Sequence, residues 1–94
     1  MSATRYHAKF PLGRIVATPN ALAHLSPADI LNAILRHQAG DWGEVSEEDR
    51  QENELSLQQG LRLLSVYHTA RNVKFYVITE AGRDITTLLL PEDY

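Results

Sequence analysis

The sequence contains no cysteine. Disulfides, thiolate nucleophiles and cysteine metal ligands are excluded in one step, which fits a chain of the reducing cytoplasm. No apolar run approaches the roughly 18 residues needed to span a membrane. The opening Met1–Lys9 is polar and lacks the apolar core of a secretory leader. Repeats, low-complexity tracts and linkers are also missing, and the five glycines are scattered. With 94 residues, one domain over 1–94 is expected, flexible over 1–9, with one modest core and little room for a deep cleft.

Positive charge is scarce. The formal net charge is −3, and it is unevenly spread. Residues 1–40 carry Arg5, Lys9, Arg14 and Arg36 against Asp29 alone, whereas 41–60 carry seven acids against Arg50. An acidic chain is a poor non-specific nucleic-acid binder, because that binding rests on many Lys and Arg contacts to phosphate. Nucleic acid therefore enters only under a catalytic reading.

What is present reads as an α+β domain. Thr18-Pro19 and Ser26-Pro27 are helix starts, with proline at the first helical position. The first opens a short helix over 20–25. The second opens the main helix, 27–38, with Ile30, Leu31, Ile34 and Leu35 at helical spacing and Gly40 as its stop. Ser46 and Asp49 have the form of a capping box before a polar surface helix, 47–58. After Gly60 the pattern changes to strands. Leu61–His68, Val73–Glu80 and Ile85–Leu90 are separated by short turns, which predicts an antiparallel meander over 61–90. The sheet has three strands, or four with 14–18 at an edge, and helix 27–38 packs on one face.

Several stretches carry a resemblance. They are Phe10-Pro11-Leu12-Gly13 with Ile15 to Pro19, His37-x-x-Gly40-Asp41-Trp42-Gly43, Asn53, Gly60-x-Arg62, and Val77 to Tyr94 with its Thr86-Thr87 and Leu89-Leu90-Pro91. Over Phe10–Tyr94 the chain resembles a family of small bacterial proteins described as plasmid-related, some labelled type I restriction endonuclease subunit M. The resemblance implies a bacterial, mobile-element setting and no particular activity. The restriction label is unsupported by the residues, since a methyltransferase needs a Rossmann domain with a glycine-rich turn. The sequence departs from the family pattern at Gly82, where that pattern has Asp, which weakens any pairing of two carboxylates in this turn.

The residue types suited to chemistry are His37, Asp41, Arg62, Glu80, Arg83 and Thr86. In a metal-independent, toxin-type ribonuclease, Glu80 would be the base and His37 the acid, with Arg83 or Arg62 on the phosphate. The structural alternative is a helix-end histidine and a Glu80–Arg83 ion pair across a turn. His37 and Asp41 are four apart, but two ligands do not make a metal site. No metal or cofactor is implied. Ser65 has no base placed near it by sequence, so a serine nucleophile is not indicated.

Residues 44–54 hold six acids, including Glu47, Glu48, Glu52 and Glu54. Such a row could act as a phosphate decoy against a host defence system, or simply solvate a helix whose first turn favours acids. Trp42 is either an interface anchor or a core side chain with its indole N–H on a carbonyl. Leu88, Leu89 and Leu90 cannot share one sheet face, which leaves either two covered faces or a homodimer. The leading expectation is a small non-enzymatic accessory protein that works through protein contacts. Its surfaces would be the second sheet face, Trp42 and the acidic helix.

Overall fold

The computed structural model describes residues 7–94. The flexibility expected of 1–9 falls mostly on residues 1–6, outside the described residues, while the Lys9 backbone N–H is bound to Gln38 O at 2.8 Å. Strand β1 (Arg14–Ala17) leads into helix α1 (Pro19–His24), capped by Thr18, whose hydroxyl accepts the Ala21 N–H. Helix α2 (Pro27–Gln38) opens on a complete capping box between Ser26 and Asp29. Helix α3 (Glu47–Gln59) opens on Ser46 and stops at Gly60 in the left-handed conformation. Strands β2 (Leu63–His68), β3 (Lys74–Thr79) and β4 (Ile85–Leu89) form the expected antiparallel meander, and a short 3-10 turn, Pro91–Asp93, follows.

The α+β class holds, with one correction to the sheet. Its order is β1-β4-β3-β2, and β1 runs parallel to β4, so the four-stranded sheet is mixed rather than antiparallel. Short turns fix the direction only of strands they join. Between β1 and the meander lie three helices, which leave the direction of β1 free.

One sheet face carries Leu63, Ser65, Tyr67, Phe75, Val77, Thr79, Thr86 and Leu88, all buried. Helices α1 and α2 cover it through Ala21, Leu25 and Ala33, with Ile30 and Ile34 packed beside them. Here the stripe differs from the expected one. Leu31 and Leu35 are 60% and 38% exposed, and Ala33 and His37 take the buried positions. Four branched apolar residues define two overlapping stripes, and the small Ala33 lets the helix lie close to the sheet on one of them. A second cluster, of Phe10, Trp42 and Leu63, fills the other end.

The opposite face buries Val66, Ile78 and Leu89. Tyr94 lies over it against Tyr76, and Asp93 ties the tail down by accepting from Thr18 Oγ1 at 2.6 Å and Asn20 Nδ2 at 3.1 Å. These bonds hold the Asp93 carboxyl below its ordinary pKa, that from Thr18 most of all. Leu88, Leu89 and Leu90 are thus all buried within one chain, and the leucine run offers no free face to a second copy.

The outer edge of β2 is covered. Gly43 bridges Val66 in parallel, with Val66 N–H on Trp42 O and Glu44 N–H on Val66 O. Beside it the Asn53 amide donates to Leu64 O at 2.7 Å and accepts from Leu64 N–H at 3.1 Å, standing in for a neighbouring strand. Replacing Asn53 by Leu leaves both Leu64 groups unpaired in a partly buried place. We expect a loss of roughly 2 kcal/mol in urea unfolding; an unchanged midpoint would show that water replaces the amide.

Candidate functional site

The chemistry-bearing residues separate into a buried network and a surface layer. His37, the penultimate residue of α2, enters the seam between the two apolar clusters. It is fully buried, edge-on to Phe10 and Trp42 at centroid distances of 5.3 and 5.7 Å. Its Nδ1 is 2.6 Å from Ser65 Oγ, and its Nε2 is 2.9 Å from Thr79 Oγ1. Thr79 Oγ1 lies 2.7 Å from Thr86 Oγ1, which donates to Leu12 O at 2.7 Å.

The direction of every proton in this chain follows from its far end. A carbonyl only accepts, so the single Thr86 proton goes to Leu12 O. Thr79 must therefore donate to Thr86, and it accepts from His37 Nε2–H. The neutral ring then has a lone pair on Nδ1, which takes the Ser65 hydroxyl proton. Protonating His37 would put an N–H where that hydroxyl already points. Burial, and secondarily the positive Arg83, lower the His37 pKa to about 3. The ring is neutral at pH 7 and has no proton to give a leaving group.

His37 is therefore not the exposed helix-end acid that the ribonuclease reading requires. Ser65, expected to lack a base, does have a histidine partner, but both are closed to solvent, so no nucleophile results. The strand positions could have signalled this: Thr79 continues the inward parity of Phe75 and Val77, and Thr86 is its cross-strand partner.

Glu80 and Arg83 do not pair side chain to side chain. The Glu80 carboxylate faces Arg62 at 3.6 Å, with both half-exposed. Arg83 turns inward and donates to Leu61 O at 2.5 Å, Ser56 O at 3.0 Å and Glu80 O at 3.3 Å, with its guanidinium 5.6 Å from the Phe10 ring. It clamps the end of α3 to the β3–β4 turn, and those bonds take three of its five N–H donors. Arg62 donates to Tyr94 Oη at 3.3 Å.

Asp41 accepts Arg36 Nε at 2.8 Å, and this bond above all keeps its carboxyl below the ordinary range. Past Gly40 it has left the helix, so it does not share a face with His37. Among the described residues no group of three or more His, Cys, Asp or Glu side chains could hold a metal ion. Among them, too, no helix is long and apolar enough to cross a membrane.

Trp42 is a core side chain, 3% exposed, and cannot serve as an exposed anchor. Its indole N–H finds the Glu54 carboxylate at 2.8 Å rather than a carbonyl. Glu54 is thereby drawn out of the acidic row, and Glu47 is bound to Arg50, which leaves Glu48 and Glu52 as outward carboxylates. A decoy needs a longer unbroken row of charge.

What the second face leaves open is a groove of about 310 Å³ over β2 and β3, floored by Leu64, Val66 and Tyr76 and bounded by Val45, Asp49 and Tyr94. This size lies at the low end of ligand sites and suits one or two side chains. Sequence reasoning named this sheet face but not the groove, because its walls come from three separate parts of the chain. Comparisons with protein-family models, with curated proteins and with solved structures find no match to this chain.

Proposed function

We propose that this chain is a non-enzymatic binding module that acts through protein contacts, in the bacterial mobile-element setting implied by the plasmid-related resemblance. One observation carries the reading: the second sheet face keeps an open groove with an apolar floor, while His37 and Trp42 are buried and Arg83 is bonded to backbone carbonyls. A groove of this kind gains from burying an apolar side chain.

The test is affinity capture with the full chain and with Tyr76→Glu, which places a charge on the groove floor at a half-buried position. Circular dichroism first checks that the variant folds. A specific partner is expected on the wild-type chain, with recovery at least about tenfold lower on the variant, the cost of burying an unpaired charge. Equal recovery by both chains, or no specific partner, would overturn the reading. Light scattering on the same samples reports whether the partner is a second copy: a monomer of 10.6 kDa removes the homodimer form.

A further inference from the structure

The two serine–aspartate starts of the helical half behave differently. In α2, Asp29 Oδ2 accepts the Ser26 N–H at 2.9 Å and closes the capping box. In α3, Ser46 Oγ accepts the Asp49 N–H at 3.1 Å, but the return bond is not made. No described residue donates to the Asp49 carboxylate. Asp49 instead lines the groove over β2 and β3.

Two other charged side chains line the groove, Glu44 and Lys74, and Lys74 is its single cation. Glu44 is bound to His68 at 2.7 Å. The Lys74 ammonium stands 5.8 Å from the Tyr76 ring, and the Arg62 guanidinium 5.6 Å from the Tyr94 ring, so each tyrosine already has a cation of its own. Those rings meet edge to face, with centroids 5.9 Å apart. Beyond the rim, α3 adds the exposed Glu48 and Glu52. Acids outnumber cations along the lining, Glu44 and Asp49 against Lys74, and Asp49 is the lining carboxylate without a partner among the described residues.

We infer that the groove takes a peptide segment presenting an arginine or lysine next to an aliphatic side chain. The aliphatic group covers Leu64 and Val66, and the cation meets Asp49. This rests on the protein-contact reading and adds the chemistry of the partner. A phosphate-bearing ligand is disfavoured by the excess of acid in the lining and on α3, and a bare amine leaves the apolar floor uncovered.

The test is a titration of the ¹⁵N-labelled full chain with acetyl-Leu-Arg-Leu-amide, with its citrulline analogue, and with acetyl-Leu-Glu-Leu-amide. Saturable shifts are expected at the amides of Leu64, Val66 and Tyr76. The arginine peptide should bind about fivefold more tightly than the citrulline one, the usual limit for an exposed ion pair, and the glutamate peptide most weakly. Asp49→Asn should abolish the arginine preference while leaving the groove shifts. Equal affinities for the three peptides, a preference that survives Asp49→Asn, or shifts confined to other surfaces would each overturn the inference. If these peptides fail while Tyr76→Glu still abolishes capture, the partner contact stands and only its chemistry is wrong. If the arginine preference holds and capture finds no Tyr76-dependent partner, the groove chemistry stands without the protein-contact function.

Discussion

Between pH 7 and pH 4 the folded chain is expected to lose about 3 kcal/mol of stability through His37 alone. In the unfolded chain this imidazole titrates near its ordinary value of 6.5, and in the fold its pKa is lowered to about 3. Below pH 6.5 the unfolded state therefore binds a proton that the folded state refuses. The contribution is fully present above 6.5 and drains away as the pH falls toward 3. For a domain whose whole margin is about 5–15 kcal/mol, that is a large fraction. Urea unfolding at pH 7, 5.5 and 4.5 checks the slope. His37→Met supplies the control. It should be less stable at pH 7 by about 2–3 kcal/mol, because the Ser65 hydroxyl loses its acceptor and Thr79 loses the N–H it accepts. Its stability should change far less over the same range. Parallel pH profiles for the two proteins would mean that His37 titrates normally in the fold.

Gly43→Ala is expected to cost more than about 3 kcal/mol, and Gly60→Ala only about 1. Both glycines have positive φ, +74° and +72°, so the conformational penalty of a Cβ is the same. Their surroundings differ. At Gly43 a Cβ would stand 2.0 Å from Val66 O and 2.7 Å from Tyr67 Cδ1, whereas at Gly60 nothing lies within 4 Å. The contact at Gly43 is with backbone, which cannot swing aside. Relief requires breaking the bridge that covers the edge of β2. Denaturant midpoints of the two variants give the comparison. Similar losses would show that the 42–44 segment shifts freely off the sheet.

The elements were legible because each has a local cause. Ser26-Pro27 starts α2, Gly60 ends α3, and the short turns after His68 and Thr79 force an antiparallel meander. The parallel pairing of β1 was not legible, since it depends on how three intervening helices pack. The catalytic-looking residues were misplaced for a related reason. His37 sits three residues after Ile34, on the buried stripe with Ile30 and Ala33, but Leu31 and Leu35 offered a more apolar alternative one step around the helix. Ser65, Thr79 and Thr86 gained their meaning only through His37, across separations of 28 and 42 residues and one strand pair. Asn53 was marked only by the resemblance: among the polar residues of α3, neither residue type nor spacing singles out the one whose amide replaces a strand.

Whether His37 belongs to the core or to a reacting site is read most directly from its own ring nitrogens. In ¹⁵N-detected spectra recorded from pH 8 to pH 5, His37 should remain neutral throughout, with the proton on Nε2 and an unprotonated Nδ1. A ring that titrates near 6.5, or that carries its proton on Nδ1, would contradict the buried network and return His37 to the surface chemistry that the fold denies it.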